Sequence, residues 1–155
     1  RVREQFARRG VDGSRIEPLP KTPSTREHLA MYAKVDVALD PFPYNGTTTT
    51  CEAMAMGVPT VTLVGVRHAG RVGLSIMTNT GLSELVARDE AQYIEIARSL
   101  ALDTARLRSL RGELRGRMLA SALCDAPAFG RRFSDAVTAL WARACERHER
   151  AGRER

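Results

Sequence analysis

Four consecutive threonines, Thr47 to Thr50, follow Asn45-Gly46 and precede Glu52. Hydroxyls in that number beside a turn dipeptide suit the binding of an anion. If a helix begins there, its first N–H groups have no intrahelical acceptor and lie at the positive end of the macrodipole, where phosphate binds. Asn45-Gly46 allows the backbone to take φ > 0 and approach an anion closely. The hydroxyls of Thr47, Thr48 and Thr49 would add donors that carry no charge. Glu52, one turn further on, would accept a hydrogen bond from a ribose hydroxyl. An isolated threonine would be only an N-cap, but the loop as a whole points to a ligand. His68 and Arg71 lie in a second loop, RHAGRVG, which is expected at the same end of the fold. His28 alone would be a surface histidine of a helix.

The elements that must position these residues follow from pattern and punctuation. Residues 1–9 have helical character and stop at Gly10, and RIEPLP (15–20) reads as a short strand with an exit turn. Ser24 or Thr25 would cap a helix through about Lys34, with Leu29, Tyr32 and Ala33 towards the core. VDVALD (35–40) reads as a buried strand, followed by a rigid loop from Pro41 to Gly46. A helix from Thr48 to Met56 stops at Gly57, and PTVTLVG (59–65) is the next strand, its apolar run suiting a parallel sheet covered on both faces. A helix from Ala69 to Thr78 and a short strand at Leu85–Val86 come next, then helices over 90–101, 104–119 and 127–149. In the last of these, Phe133 and Trp141 are expected to pack the helix onto the sheet. Strand and helix alternating with short connections specify an α/β domain with a parallel sheet, closed by a helical tail.

Bulk properties exclude several classes. No apolar run approaches the ~20 residues of a membrane span, so no membrane partner is expected. The net charge of +6 comes almost wholly from arginines set among acidic neighbours. No nucleic-acid-binding motif or interleaved aromatic platform accompanies them, so they read as a solvated helical surface. Cys51, Cys124 and Cys145 are odd in number and widely spaced, which fits neither a disulfide framework nor a zinc site and implies a reducing, cytoplasmic setting. No Asp-x-Asp pair is present to hold Mg²⁺ or Mn²⁺, so no metal and no resident cofactor is expected. The charged opening, RVREQFARRG, reads as the interior of a longer polypeptide.

The stretch RIEPLPKTPSTREHLAMYAKVDVALDPFPYNGTTTTCEAMAMGVPTVTL, then RHAGRVGLSIMTNTGLSELVA and SALCDAP, resembles the C-terminal part of the catalytic region of O-linked N-acetylglucosamine transferases. It is most similar to the bacterial, SPINDLY-type proteins that join tetratricopeptide repeats to a GT-B glycosyltransferase. The resemblance implies a Rossmann-like fold, the partial C-terminal half of a GT-B enzyme, over 1–126 as the nucleotide-sugar-binding domain, with 127–155 as a helix on it. It also implies inverting transfer of N-acetylglucosamine from UDP-GlcNAc to protein Ser or Thr hydroxyls. By the same resemblance His28 lies near the nucleotide, Thr48 and Thr49 hold the diphosphate, and Glu52 serves the ribose. Thr47 falls where animal enzymes carry a phosphate-contacting histidine, leaving its backbone N–H for the role. Thr25 replaces a uracil-contacting lysine. Donors aimed at the β-phosphate of the departing UDP would stabilise the charge that builds there.

The family's N-terminal Rossmann-like domain and the first two strands and diphosphate lysine of its C-terminal domain have no counterpart here. The segment alone is therefore expected not to catalyse transfer, and the protein acceptor would be held by parts outside it. With the strand order 3-2-1-4-5-6, two strands here lack neighbours. Either residues 15–18 re-pair beside 36–40, or the open edge recruits another copy, since an unpaired edge is an association template. The competing assignments are a non-catalytic nucleotide-binding or interaction module, an N-glucosyltransferase, and a UDP-sugar epimerase.

Overall fold

The computed structural model describes residues 1–153. The chain forms two compact units, the first ending at Met31 and the second beginning at Tyr32.

The first unit opens with α1 (Val2–Ala7) and a 3₁₀ turn at Gly13–Arg15, and ends with α2 (Thr25–Met31). Gly10, at φ 79°, lets the chain leave α1, as the sequence implies. Residues 15–20 are not a strand. The Asp12 carboxylate accepts from the Ser14 N–H at 2.9 Å and folds the chain into the 3₁₀ turn instead. Pro18 and Pro20 then supply no N–H for a ladder. The re-pairing of 15–18 as a strand is therefore not what the chain adopts. Ser24, not Thr25, caps α2: its Oγ accepts from the Glu27 N–H at 3.2 Å. Leu29 is half-buried.

In the second unit a 3₁₀ turn, Tyr32–Lys34, leads to β1 (Ala38–Leu39), α3 (Thr48–Ala55), β2 (Thr60–Leu63), a 3₁₀ turn at His68–Gly70 and α4 (Val72–Asn79). The chain continues through a 3₁₀ turn at Ser83–Leu85 to β3 (Val86–Ala87), α5 (Glu90–Leu102), α6 (Thr104–Leu119) and α7 (Ala126–Arg153). The sheet is parallel in the order β1-β2-β3, with Ala38 opposite Thr60 and Thr62 opposite Val86. β1 is thus an edge of the described sheet, with Leu39 58% exposed on it.

The crossover helices explain the core. α4 packs on β2, α5 on β2 and β3, and α6 on α3. Met54, Val61, Met77, Leu82, Leu100 and Leu114 are fully buried where these elements meet, each worth roughly 1.5–3 kcal/mol by removal from water. Helix starts are fixed by carboxylate caps. Asp89 accepts from Gln92 N–H at 2.8 Å and Asp103 from Arg106 N–H at 2.9 Å. Arg111 crosses from α6 to donate to the Val35 carbonyl at 2.8 Å, holding the approach to β1. Arg98, Arg106 and Arg117 pair with Glu95, Glu84 and Glu113, so part of the basic excess is a surface ion-pair lattice of small energetic weight.

One expectation is reversed on α7. Phe133 and Trp141 are 60% and 71% exposed and pack on nothing in the sheet. Their spacing is that of an amphipathic helix, with Phe129 stacked on Phe133 at 5.9 Å, but no described element covers the stripe. Replacing Leu114 by Ala should lower unfolding free energy by about 2–5 kcal/mol, while Trp141→Ala should change it by about 0.5 kcal/mol or less; denaturant titration of each variant checks the contrast.

Candidate functional site

The site is built on the carboxyl end of β1. Asp40 donates its N–H to the Val61 carbonyl at 2.9 Å, the last rung of the ladder, and the chain then turns through Pro41–Gly46, with a cis Phe42–Pro43 peptide. Asn45, 1% exposed, pins this loop. Its Nδ2 donates to the Pro41 carbonyl at 3.1 Å, and its Oδ1 accepts from the Gly73 N–H at 3.3 Å. Its own N–H reaches the Ala69 carbonyl at 2.9 Å. The second loop is thereby held against the first, and α3 and α4 both begin beside Asn45.

Glycine at 46 answers to space, not to handedness. Gly46 does not take positive φ, so the conformational freedom that Asn45-Gly46 allows is not used. A Cβ there would stand 2.7 Å from Thr49 Oγ1 and 2.8 Å from Thr50 Oγ1, so a side chain would push into the first turn of α3. The Gly46 N–H donates to Asp40 Oδ1 at 2.7 Å and is turned away from solvent.

α3 starts at Thr48 with Thr47 as N-cap, and the Thr47 side chain makes no capping bond. The first intrahelical bond is Cys51 N–H to the Thr47 carbonyl, 3.1 Å. The amides of Thr48, Thr49 and Thr50 thus lack an intrahelical acceptor, at the helix end that favours an anion by about 0.3–1 kcal/mol. Thr47, Thr48 and Thr49 are exposed, while Thr50 is buried, so three of the four hydroxyls are available to a ligand. Glu52, four residues after Thr48, shares its face of the helix. The structure therefore brings Thr47, Thr48, Thr49 and Glu52 together. His28 lies on α2 in the first unit, half-buried, one turn after Ser24.

Several neighbours escaped the sequence reading. Tyr32, expected only to face the core, donates its hydroxyl to the Thr49 carbonyl at 3.2 Å. Burial, and then the charge of Glu52, raise its phenol above the usual range. Cys51 faces the core side of α3, and burial raises its thiol, so it is a packing residue. The Tyr93 hydroxyl reaches back from α5 to the Asp40 carbonyl at 2.9 Å, and the ring meets Phe42 edge-on at 5.7 Å. Spacing within a segment could not have shown these, because each contact joins separate elements. His68 and Arg71 are exposed at the start of α4, on the loop that Asn45 holds against the first. Among the described residues no cluster of three or more His, Cys, Asp or Glu is placed to hold a metal ion, and no helix is long and apolar enough to cross a membrane.

A parallel sheet whose carboxyl-end loop feeds a hydroxyl-lined helix N-terminus defines the Rossmann-like α/β class, in which ligands bind at that end of the sheet. Within that class the chain belongs to glycosyl transferase family 41, whose match covers residues 1–133. It is 42% identical over 149 residues to a rice protein named probable UDP-N-acetylglucosamine–peptide N-acetylglucosaminyltransferase SPINDLY, covering 94% of this chain and 16% of that protein. It is 30% identical over 142 residues to a Caenorhabditis elegans UDP-N-acetylglucosamine–peptide N-acetylglucosaminyltransferase, covering 92% of this chain and 12% of that one. A solved structure of a mutant O-GlcNAc transferase from Thermobaculum terrenum superposes with a TM-score of 0.86 at 41% identity, over 94% of this chain and 28% of its own. The fold is accordingly a partial, Rossmann-like half of a GT-B transferase, and the chain spans less than a third of each of these relatives.

Tyr93 gives a test of the geometry around β1. Burial, and then the charge of Asp40, push its phenol up to about 12 from 10.0. Because the folded value is the raised one, the associated stability is complete below pH 10 and is lost as pH climbs towards 12. Ultraviolet titration of the protein against its Tyr93→Phe variant should isolate one tyrosine ionising that late.

Proposed function

We propose that this chain is the donor-binding part of an inverting transferase that moves N-acetylglucosamine from UDP-GlcNAc to Ser or Thr hydroxyls of proteins, in the cytoplasm. The observation that carries the proposal is the exposed Thr47–Thr48–Thr49 start of α3, with Glu52 on the same helix face. The family to which the chain belongs and the printed activities of its relatives support it.

On this reading Thr48 and Thr49 bind the diphosphate through hydroxyls and backbone N–H groups, and Thr47 contributes its N–H. Glu52 accepts from the ribose. When the acceptor hydroxyl oxygen attacks C1 of the sugar and gives up its proton to a base of the whole protein, the C1–O bond to UDP breaks and negative charge gathers on the β-phosphate oxygen. Donors already fixed at that position stabilise the charge without reorganising. Removal of one such donor costs about 2.7–4 kcal/mol of transition-state stabilisation in comparable oxyanion sites. Transfer and acceptor binding belong to the whole protein, of which this chain supplies the donor side.

The open edge at β1 supports a second, weaker proposal, association of two copies of the isolated chain through that strand. Sedimentation across a concentration series should show a dimer that a charged residue at Leu39 abolishes, and a monomer at every concentration would end it. For the main reading, calorimetric titration with UDP should show binding that Thr48→Ala with Thr49→Ala weakens at least ~10-fold, or ~1.4 kcal/mol. Unchanged affinity in a folded double variant would remove the diphosphate from the threonines.

A further inference from the structure

Asp40 is a carboxylate in a place where a carboxylate is electrostatically awkward. It is 2% exposed, it has no arginine or lysine partner among the described ion pairs, and it lies under the loop that leads to the threonines. An anionic ligand above it would gain nothing from its charge. Burial raises its carboxyl, against two hydrogen bonds that pull it down. A charge so placed needs another reason.

The reason lies in what the two oxygens accept. Oδ1 takes the Gly46 N–H at 2.7 Å and Oδ2 takes the Thr62 hydroxyl at 2.7 Å. The Asp40 main chain is held as well, by Val61 on one side and by the Tyr93 hydroxyl on the other. Gly73 closes the space, since a Cβ there would stand 2.6 Å from Oδ2 and overlap Thr62 Oγ1. The carboxylate is therefore fixed on the strand end, on β2 and against the start of α4, and its remaining bond goes to the Asn45–Gly46 peptide, one residue before Thr47. A peptide is planar. Fixing the Gly46 N–H inward sets the plane of the Asn45–Gly46 peptide, and so where the Gly46 Cα stands as the chain enters Thr47 and the first turn of α3.

We infer that Asp40 is a positioning residue for the anion loop, whose buried carboxylate orders the Gly46 peptide before ligand arrives so that the Thr47–Thr49 donors are aimed in advance. Its contribution is acceptor geometry rather than charge. Asparagine can reproduce that geometry, with its carbonyl oxygen accepting from Gly46 and its amide donating to the Thr62 hydroxyl; alanine cannot. Ligand affinity is spared the ordering of a loop that is already ordered.

This inference rests on the UDP-binding reading, and its test separates the two. In the full-length protein, affinities for UDP and for uridine, which lacks the phosphates, are measured beside thermal melts for wild type, Asp40→Asn, Asp40→Ala and Thr62→Val. Asp40→Ala should weaken UDP about tenfold and leave uridine unchanged, whereas Asp40→Asn should stay within about twofold for both. Thr62→Val, which frees the second carboxylate oxygen, should weaken UDP about threefold with uridine intact, and it decides the matter if Asp40→Ala does not fold. A folded Asp40→Ala that binds UDP like wild type overturns the inference. So does an Asp40→Asn as weak as Asp40→Ala, which would make the charge the active feature, or a Thr62→Val without effect when Asp40→Ala is unfolded. Wild type that binds no UDP overturns the reading beneath it, and this inference falls with it.

Discussion

The ligand end of the second unit depends on the buried amide of Asn45. One side chain uses a donor on Pro41 and an acceptor on Gly73, while its main chain bonds to Ala69. Aspartate would lack the donor and leucine would lack both, leaving buried backbone groups unpaired at about 1–3 kcal/mol each. Because the amide joins the loop before α3 to the first turn of α4, two helix N-termini are set beside one another. Each carries partial positive charge that falls off within about one turn. Their effects reinforce at a ligand only if both ends are held close, and Asn45, through its side chain and its main-chain N–H, helps to hold them.

Close approach at this end is achieved by omitting side chains. Gly46 lies against the threonine hydroxyls and Gly73 against Thr62 and Asp40, while neither adopts positive φ. Gly57 is the contrasting case. It sits at φ 80° after α3, with the Arg111 carbonyl 2.8 Å from where a Cβ would be, and combines both demands at a helix exit. The sheet thus has a ligand end shaped by missing methyl groups and an opposite end shaped by chain reversal.

Much of this was legible in the sequence wherever a local signal had a local cause. Thr48 and Gly57 bracket α3 as read, and α5 and α6 begin at Glu90 and Thr104 as expected, where the structure adds the Asp89 and Asp103 caps. The parallel α/β class followed from the alternation of elements, and the resemblance carried the family. Residues 15–20 misled because an apolar Ile16 beside two prolines looks like a bounded strand, while Asp12 turns the chain first. Phe133 and Trp141 misled because amphipathic spacing reports a face suited to burial without saying that anything in the same segment buries it. The roles of Asp40, Asn45, Tyr32 and Tyr93 were invisible for a simpler reason. Each has a partner in another element, Thr62 for Asp40, Gly73 for Asn45 and Thr49 for Tyr32, and no spacing rule connects Tyr93 to a carbonyl 53 positions earlier.

α7 carries a consequence for how the molecule comes apart. It is 28 residues long, and none of its described side chains is buried. Its order is supplied by i→i−4 bonds along its own length, which form and break by helix–coil statistics rather than with the core. Heating should therefore dissolve helical signal gradually from this segment, while the environment of Tyr93, on α5 against the end of β1, changes in one sharp step. In this chain, helicity and foldedness are different quantities.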